Sequence, residues 1–384
     1  MYTEQNLVRI AKRENNNKRK YLVVNRLQGK HIPVKPCEAL AMFRALAGKL
    51  HSPYKGETLL VIGFAETATA IGAAVAAELG ADYMQTTRER VPDAEYLYFS
   101  EEHSHAVEQK LVKNDIDSAV KTIDRILFVE DEVTTGKTIL NIIDILKKRY
   151  SENIKFSVAS ILNGMDKAAL DKYQNCGIDL FWLVKTDHAA YTEIADSYKG
   201  DGIYVGCKGG MLSDPNQSMD GIQNINLPGV LKKIRYTIAG ERMDTRRLVN
   251  SVEYNTFCAN LYQDIASQAD FGSAQNILVL GTEEFMYPAL YVAEELETRG
   301  KSVRFHATTR SPIAVGTEQD YPLHTRYELR SFYDSRRTTY IYDLHKYDAV
   351  VIITDAQGDT AAGMETLYHA LAISGNERIF FFQL

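Results

Sequence analysis

The sequence predicts an α/β protein with parallel sheets, and three observations carry this prediction. Short apolar runs alternate with longer stretches in which apolar residues recur at helical spacing. Several of these runs end at a glycine or an acidic residue and lead directly into a helical stretch, as strands do in βαβ units. The alternation is interrupted around 208–222 by a polar, turn-forming segment and then resumes. We therefore expect two α/β units joined by a linker.

The first unit is expected to alternate strands and helices around a long polar segment at 89–116. Its helices are expected at about 68–79 and at Lys137–Arg149, where isoleucines and leucines form a broad apolar face. Its strands are expected at Leu59–Ile62, Asp82–Gln85, Arg125–Val129, Lys155–Leu162 and Ile178–Val184.

The second unit follows two further helices, expected at about 228–238 and 245–268. Its own helices are expected at Pro288–Arg299 and Met364–Ile373. Its strands are expected at Asn276–Leu280, Ser302–Ala307, Thr339–Tyr342, Ala349–Thr354 and Arg378–Gln383. The chain then divides into a first domain at 1–210, a linker and helical bridge at 211–270 and a second domain at 271–384. Within the first domain, 1–50 would form an N-terminal segment and 51–210 the core.

Composition narrows the classes of function. The formal net charge is −6, and this acidic balance argues against a protein that coats nucleic acid or an anionic membrane. No apolar run reaches the roughly 18 residues of a membrane-spanning helix, and the N-terminus has no apolar signal segment. Four scattered cysteines fit free thiols in a reducing cytosol better than disulfides or a zinc site. We therefore expect a cytoplasmic protein, whose acidic balance still leaves room for a local phosphate-binding pocket.

The most informative segment joins a strand to a helix between Ile126 and Thr138. Glu130 and Asp131 follow the apolar strand, and carboxylates at that edge can accept hydrogen bonds from adjacent ribose hydroxyls. The loop that begins at Thr134 offers hydroxyl and backbone N–H donors to a phosphate, and the helix that follows adds its positive dipole end. Parallel sheets bind ligands at the carboxyl ends of their strands. The segment therefore predicts a sugar-phosphate site.

Two other interpretations of this segment compete with the first. A Walker A loop also ends in Gly-Lys-Thr, as 136–138 does, but it needs a glycine where Asp131 stands. The Asp131 carboxylate would repel a triphosphate, which excludes this interpretation. An ordinary strand–turn–helix with a capped helix also favours threonine and aspartate, and it stays open.

The segment resembles the signature with which type I phosphoribosyltransferases bind 5-phosphoribosyl 1-pyrophosphate (PRPP): an apolar strand, two acids, two further residues and then Thr-Thr-Gly-x-Thr. The resemblance implies a parallel sheet flanked by helices and covered by a hood. It also implies that Glu130 and Asp131 hold the ribose hydroxyls. The 5′-phosphate would bind the loop of Thr134, Thr135, Gly136, Lys137 and Thr138. Glu130 replaces the usual Asp and Lys137 a common Gly, two departures that can change the preferred sugar phosphate.

Two neighbouring segments agree with this resemblance. The loop after the first core strand would receive pyrophosphate on Ala65, Glu66 and Thr67, with Mg²⁺ or water between Glu66 and the anion. An N-capping sequence is the alternative interpretation of this loop. Arg88, after the second strand, is a candidate diphosphate ligand because arginine binds phosphate with two parallel hydrogen bonds.

The polar segment at 89–116 would form a mobile loop over the site. It carries His103 and His105, for which acid–base or substrate contact, metal binding and a solvated loop are all open interpretations. The predicted catalytic set is Glu130, Asp131, Arg88, His103 and His105.

The tetrapeptide Thr309-Arg310-Ser311-Pro312 narrows the resemblance. The chain is similar to a two-part bacterial family in which an orotate-type phosphoribosyltransferase domain precedes a TRSP domain, named for these residues. The resemblance implies a second, Rossmann-like α/β domain, an association with tellurite-resistance and stress-response gene clusters, and a part in making a nucleoside-like metabolite. Thr309, Arg310 and Ser311 would supply donors to an anion, and an interface role is the alternative.

The two units also echo each other. A Thr-Thr-Arg triplet stands at 86–88, after Gly63, and another at 308–310, after Gly281. Asp131 and Asp355 then each end an apolar strand before a Gly/Thr loop and a helix. We infer that the second unit is a diverged copy of the first, and unmatched strand orders would contradict this. Thr354 replaces the first acid, so the copy is not expected to bind PRPP in the same way. Independent origin of a generic α/β unit stays open.

Taken together, these residues predict a Mg²⁺-dependent phosphoribosyltransferase that transfers the phosphoribosyl group of PRPP to an unknown nitrogenous, base-like small molecule and releases pyrophosphate. Mg²⁺ would be held through PRPP and water, without direct protein ligands. The resemblance favours a homodimer, and the acidic balance argues against a nucleic acid polymer or a membrane as partner. Two alternatives stay open: a non-catalytic regulator that binds PRPP or a nucleotide, and an assembly protein whose second domain docks pathway enzymes.

Overall fold

The computed structural model describes residues 1–14, 19–99, 109–150, 154–206, 242–358 and 360–384, together with the backbone of 232–237. The helices are α1 Glu4–Leu7, α2 Pro36–Gly48, α3 Thr69–Leu79, α4 Lys113–Ala119, α5 Lys137–Arg149, α6 Lys167–Asn175, α7 Tyr191–Ser197, α8 Ser251–Gln268, α9 Tyr287–Thr298 and α10 Ala361–Ile373.

The strands are β1 Val8–Lys12, β2 Tyr21–Asn25, β3 Leu59–Gly63, β4 Asp82–Gln85, β5 Tyr96–Phe99, β6 Gln109–Val112, β7 Arg125–Val133, β8 Lys155–Asn163, β9 Asp179–Lys185, β10 Ile203–Gly206, β11 Lys232–Thr237, β12 Val249–Asn250, β13 Asn276–Gly281, β14 Ser302–Ala307, β15 Thr325–Arg330, β16 Thr338–Tyr342, β17 Ala349–Thr354 and β18 Arg378–Gln383.

The first unit is a sheet in the order β12-β4-β3-β7-β8-β9. All of its neighbouring pairs are parallel except β12 with β4. The central strands are buried along most of their length, because helices cover both faces of a parallel sheet. Helix α3 lies very close to β3: a Cβ atom on Gly72 would come within 2.8 Å of the Gly63 Cα atom. Two glycines therefore permit this close packing beside the predicted pyrophosphate loop.

The second unit is a parallel sheet in the order β11-β18-β17-β13-β14. Four of its strands, in the order β14-β13-β17-β18, correspond to β4-β3-β7-β8 of the first unit. Along the chain, an antiparallel ribbon follows β4 in the first unit and β14 in the second. The ribbon is β5–β6 in the first unit and β15–β16 in the second. Because the strand orders match, the structure agrees with the prediction that the second unit is a diverged copy of the first.

Residue-level pairing supports the same correspondence. Gly63 pairs with Val129 across β3 and β7, and Gly281 pairs with Ile353 across β13 and β17. Two residues beyond these partners lie Asp131 in the first unit and Asp355 in the second. The two aspartates are thus structurally equivalent.

The N-terminal segment contributes α1, the hairpin β1–β2 and α2. Tyr21 of β2 contacts Tyr191 of α7, whereas Arg13, beyond β1, forms a bridge with Ile313 of the second unit. The predicted hood is therefore a hairpin that contacts both units. The limits drawn from the sequence for the three regions stay a prediction.

Several predicted elements differ from the structure. The helix predicted at 228–238 is wrong, because 232–237 form β11, which pairs with β18. The helix predicted from 245 begins only at Ser251, after β12 has paired with β4. Strand β7 continues to Val133, so the acidic pair lies within the strand rather than after it. In each case pairing with a distant strand decides the local structure, and local spacing contains no record of that partner.

Two properties follow for the described part of the chain. Its helices are all too short or too polar to cross a membrane. Cys37, Cys176 and Cys258 are free thiols there, and Cys207 lies outside the described residues.

Candidate active site

Three successive acidic residues, Glu130 to Glu132, lie in the last part of β7, at the carboxyl edge of the first sheet. The Thr67 hydroxyl donates a 2.8 Å hydrogen bond to Asp131, which ties the end of β7 to the loop after β3. Burial raises the pKa of Asp131, and the adjacent Glu132 carboxylate raises it further. Glu130 pairs with Ser160 of the neighbouring strand β8. The predicted acidic pair therefore lies in β7, flanked by β3 and β8, at the edge of the sheet where parallel strands bind ligands.

The loop from Thr134 to Gly136 turns the chain from β7 into α5. Gly136 has a φ of +69°, a left-handed conformation that glycine adopts without strain. The Tyr173 hydroxyl donates a 2.6 Å hydrogen bond to the Gly136 carbonyl, which turns that carbonyl into the protein. The first turn of α5 has no intrahelical acceptors for its N–H groups, so these donors and the threonine hydroxyls suit an anion. The predicted phosphate loop therefore offers donors that suit an anion, and its phosphate stays a prediction.

The loop after β3, residues 63–69, turns four successive carbonyls into the protein. Those of Ala65 and Thr67 accept hydrogen bonds from Gln109 and Gln28, at 2.8 and 2.7 Å. The Phe64 carbonyl accepts from Ala68 N at 2.9 Å, and the Glu66 carbonyl from the Thr69 hydroxyl at 3.4 Å. Within the described residues, the amides of Glu66 and Thr67 have no protein acceptor. The loop therefore offers donors to a ligand beside Asp131.

The Glu66 side chain does not face this ligand position. Its carboxylate forms an ion pair with the buried Lys30 ammonium and lies 3.4 Å from the Arg310 guanidinium. Although burial opposes it, these two cations hold the pKa of Glu66 below its usual value. The prediction placed Mg²⁺ or water between Glu66 and pyrophosphate. In this structure Lys30 and Arg310 neutralise the charge of Glu66, and the bridging Mg²⁺ or water stays a prediction.

Arg88 lies at the end of the second strand, as predicted, beside the Glu66 carboxylate whose pKa it helps to lower. Its backbone N–H donates a 3.0 Å hydrogen bond to Glu284 of the second unit. The preceding Thr87 hydroxyl donates to the same carboxylate at 2.6 Å. Arg88 thus lies between the pyrophosphate loop and the second unit. His103 and His105 lie outside the described residues.

Other residues near the site escaped prediction. Gln28 holds the Thr67 carbonyl, and its only sequence signal was its place in the N-terminal segment. Arg19 forms a 2.6 Å ion pair with Glu132, whose other oxygen lies 3.4 Å from His188. The Tyr21 hydroxyl and His188 Nδ1 are 2.9 Å apart. These residues come from distant parts of the sequence, so only folding brings them to the acidic end of β7.

The anion site predicted at Thr309, Arg310 and Ser311 has a different environment. The Thr309 hydroxyl accepts a hydrogen bond from Ser311 N at 3.2 Å, and the Arg310 guanidinium lies among carboxylates. The carboxylates are those of Glu66, Glu89, Glu283 and Glu284. In this structure these carboxylates neutralise Arg310, which fits the interface role that was the alternative. The anion site at this tetrapeptide stays a prediction.

Asp355, the equivalent of Asp131, is closed off by its neighbours. Its carboxylate accepts hydrogen bonds from Arg246 and from the Tyr333 hydroxyl, each at 2.5 Å. Thr354 stands where the first unit has Glu130. The position that would meet a ribose hydroxyl is therefore filled by protein donors in the second unit.

Two family models match this chain. Residues 7–190 match the model described as "Phosphoribosyl transferase", and residues 245–371 match the model described as "TRSP domain C terminus to PRTase_2". No protein of curated function matches.

Solved structures of adenine phosphoribosyltransferases are also similar to part of this chain. Adenine phosphoribosyltransferase from Rhodothermus marinus is 14% identical, with 47% of this chain and 96% of that chain covered and a TM-score of 0.34. The enzyme from Giardia lamblia, complexed with 9-deazaadenine, is 19% identical, with 47% and 95% covered and a TM-score of 0.31. The enzyme from Trypanosoma brucei, in complex with AMP, pyrophosphate and ribose-5-phosphate, is 13% identical, with 47% and 76% covered and a TM-score of 0.32.

Proposed function

Because residues 7–190 belong to the phosphoribosyl transferase family and residues 245–371 form a TRSP domain, we propose that this phosphoribosyltransferase transfers the phosphoribosyl group of PRPP to a nitrogenous, base-like acceptor. Pyrophosphate is the second product. The reaction belongs to the synthesis of a nucleoside-like metabolite in the cytoplasm.

One observation carries this proposal: the hydrogen bond between Thr67 and Asp131 ties the loop after β3, predicted to bind pyrophosphate, to the strand that leads into the predicted phosphate loop. The phosphate loop at 134–138 lies at one end of β7, and the loop at 63–69 lies on the neighbouring strand β3. PRPP carries a phosphate at one end of its ribose and a diphosphate at the other, with two hydroxyls between them. Two donor-rich loops flanking acidic side chains match this order of groups.

The chain's residues then divide the work of the reaction. Glu130 and Asp131 accept hydrogen bonds from the ribose hydroxyls and orient the anomeric carbon. The acceptor nitrogen attacks this carbon while the bond from the carbon to the diphosphate oxygen breaks with its electron pair, and the proton of the nitrogen leaves with the pyrophosphate. The Glu66 and Thr67 amides, with the Arg88 side chain, stabilise the negative charge that grows on the diphosphate.

The Mg²⁺ requirement is also part of the proposal. In the described part of the chain, no group of three or more histidine, cysteine or acidic side chains is arranged so that it could hold a metal ion by itself. Carboxylate oxygens of Glu130 and Asp131 are ligands that Mg²⁺ accepts, but the ion keeps several waters and phosphate oxygens in such sites. When bound, it would neutralise charge on the diphosphate.

Calorimetric titration with PRPP, with and without Mg²⁺, tests the proposal. The wild type is expected to bind, and Asp131→Asn is expected to weaken binding by roughly tenfold or more, because a hydrogen bond to a charged group contributes about 1.5–3 kcal/mol. Asp355→Asn is the matched control at the equivalent position and is expected to bind like the wild type. Absence of binding to the wild type, or equal binding to Asp131→Asn, would contradict the proposal.

Turnover is measured separately, because binding alone does not distinguish an enzyme from a regulator. Pyrophosphate release from PRPP is followed in the presence of individual nitrogenous bases. Release that depends on one base, and that Asp131→Asn slows, is the expected result. Tight PRPP binding without release in the presence of any base would favour the regulator instead.

A further inference from the structure

The two units exchange edge contacts reciprocally. Val34, which precedes α2, pairs with Phe305 on the free edge of β14, with N–O distances of 2.9 and 2.8 Å. Val249, which precedes α8, pairs with Tyr83 on the free edge of β4. Helix α2 leads into the first sheet and α8 into the second, so each unit extends the sheet of the other. This is the arrangement of a two-fold pair of equal subunits, formed within one chain.

The loops after β3 and β13 repeat the exchange. The Glu66 carboxylate accepts a 3.3 Å hydrogen bond from the backbone N of Arg310, and the Glu284 carboxylate accepts a 3.0 Å hydrogen bond from the backbone N of Arg88. Glu66 and Glu284 each stand three residues after the glycine that ends the strand, and the two arginines end equivalent Thr-Thr-Arg triplets. Each glutamate therefore reaches the triplet of the opposite unit.

A second cation completes each half of this interface. Lys30, from the segment before α2, forms an ion pair with Glu66, and Arg246, from the segment before α8, lies 3.2 Å from Glu284. Lys30 also donates to the carbonyls of Glu283 and Thr308 in the second unit, at 2.7 and 2.9 Å. All these carboxylates are buried, so their orientation is fixed by the cations around them.

We propose that the TRSP domain serves as a built-in partner subunit, and that its Arg310 is a positioning residue for the pyrophosphate loop of the first domain. This inference rests on the proposed function. Arg310 acts through Glu66: its backbone N–H and its guanidinium hold the Glu66 carboxylate. The Glu66 and Thr67 amides, which have no acceptor among the described residues, are thereby kept available to a diphosphate beside Asp131.

The two halves of the pair differ in one respect that matters for binding. In the second unit the Arg246 guanidinium donates hydrogen bonds to both Glu284 and Asp355, and the Tyr333 hydroxyl also donates to Asp355. In the first unit the equivalent Asp131 contacts the Thr67 hydroxyl of the pyrophosphate loop. One copy therefore keeps its ligand site and the other has closed it. A single chain then contains the pairing for which a homodimer was expected, with one PRPP bound per chain.

Hydrogen exchange in the ligand-free, full-length chain tests the positioning role directly. Peptides that cover 63–69 are compared among the wild type, Arg310→Gln and Glu66→Gln, with Arg299→Ala as a control for loss of a surface arginine of the same domain. We expect the loop at 63–69 to exchange faster in both Arg310→Gln and Glu66→Gln than in the wild type, and the central strand β7 to exchange at an unchanged rate. Unchanged exchange of the loop would overturn the proposal, and Glu66→Gln gives this answer even if Arg310→Gln does not fold.

Calorimetry with two probes supplies a readout that a general loss of structure would not give. Arg310→Gln is expected to weaken PRPP binding roughly tenfold, or about 1.4 kcal/mol, and to leave ribose 5-phosphate binding unchanged, because only PRPP carries the diphosphate. Arg310→Lys is expected to restore part of the PRPP affinity. Equal weakening of both ligands, or two PRPP molecules per wild-type chain, would overturn the proposal. Failure of the wild type to bind PRPP would contradict the proposed function, whereas the exchange experiment would still decide the role of Arg310.

Discussion

The hydroxyl of Thr67 donates a 2.8 Å hydrogen bond to the carboxylate of Asp131, so the loop after β3 and the acidic end of β7 form one continuous polar surface. The two residues are far apart in sequence and meet because β3 and β7 are parallel neighbours. Burial and Glu132 raise the pKa of Asp131, whereas the Thr67 donor stabilises its ionised form. A ligand that contacts the loop therefore also meets Asp131 in a defined orientation.

The first prediction concerns this hydrogen bond. Thr67→Val keeps the shape of the side chain and removes the donor, so PRPP affinity is expected to fall roughly fivefold, the equivalent of about 1 kcal/mol. Thr67→Ser keeps the hydroxyl and is the matched control, expected to bind within a factor of about two of the wild type. Titration calorimetry measures both. If valine binds as well as serine, the hydrogen bond does not orient Asp131 for the ligand.

The second prediction concerns the phosphate loop. A Cβ atom on Gly136 would lie 2.5 Å from the Tyr173 hydroxyl, and the left-handed φ of +69° is itself unfavourable for alanine. Gly177 has a similar φ of +67° but open space around it, so Gly177→Ala isolates the backbone effect. We expect Gly177→Ala to cost about 1 kcal/mol and Gly136→Ala about 2–3 kcal/mol more, because overpacking adds to the strain.

Urea unfolding monitored by circular dichroism measures this difference. Equal losses in the two alanine variants would mean that Tyr173 moves aside without cost, and the loop would then be less tightly held than its contacts indicate. PRPP binding is expected to weaken in Gly136→Ala alone, because only this glycine lies in the phosphate loop.

The third prediction concerns the buried pair of Lys30 and Glu66 between the two units. Removing one charge of a buried pair leaves the other uncompensated, so Lys30→Met is expected to lower the free energy of unfolding by about 3–5 kcal/mol. Glu66→Gln is expected to destabilise less, because Lys30 keeps its two carbonyl acceptors in the second unit.

A double-mutant cycle gives the decisive comparison for this pair. The Lys30→Met, Glu66→Gln double variant is expected to lose about 1–3 kcal/mol less than the sum of the single losses. Additive losses, measured by urea unfolding of the full chain, would show that the two charges do not stabilise each other.

The fourth prediction is a pH dependence of stability. Glu57 accepts hydrogen bonds from Arg125 at 2.6 Å and from Lys155 at 2.7 Å. The Arg125 hydrogen bond, with the Lys155 contact and against a smaller effect of burial, lowers the pKa of Glu57 to about 2 from the ordinary 4.5. The ionised carboxylate therefore contributes stability fully above about pH 5, and this contribution is lost as the pH falls towards 2.

Glu57→Gln tests the sign of this effect. The variant is expected to be about 1–2 kcal/mol less stable than the wild type at pH 7, and the difference is expected to shrink between pH 4.5 and 2. Glu193→Gln, at an exposed position of α7, is the control and is expected to match the wild type throughout. A Glu57→Gln difference that stays constant with pH would contradict the assigned pKa.

Much of the fold was predictable because its central strands contain short apolar runs that are buried on both faces. The strand Ala349–Thr354 and the strand Arg378–Gln383 have the bounds that the sequence predicts. Strand β11 was mistaken for a helix, because its pairing with β18 joins segments that are far apart in the chain. The spacing of apolar residues within a segment indicates which side of that segment is buried. It does not indicate which distant strand the segment pairs with.

The candidate site divides in the same way. Glu130, Asp131 and the 134–138 loop are contiguous, so their spacing alone predicted a phosphate and ribose site. Gln28 and His188 carry no such signal, because each reaches the site through the fold. Glu66 lies in the loop after β3, but its carboxylate contacts Lys30 from the N-terminal segment and Arg310 from the second unit, which only the fold brings there.

The sequence by itself predicted the α/β class, the repeated pattern of Thr-Thr-Arg and Asp motifs, and the segment that is typical of a sugar-phosphate site, because these depend on hydrophobic spacing and on neighbouring residues. Only the tertiary structure decided that the two copies face each other with exchanged strand edges and exchanged glutamates. It also decided that Asp131 contacts the Thr67 hydroxyl of the loop after β3, whereas Arg246 and Tyr333 contact Asp355. The physical reason is that buried charges take their orientation from the nearest opposite charge, and in this chain that partner comes from a distant part of the sequence.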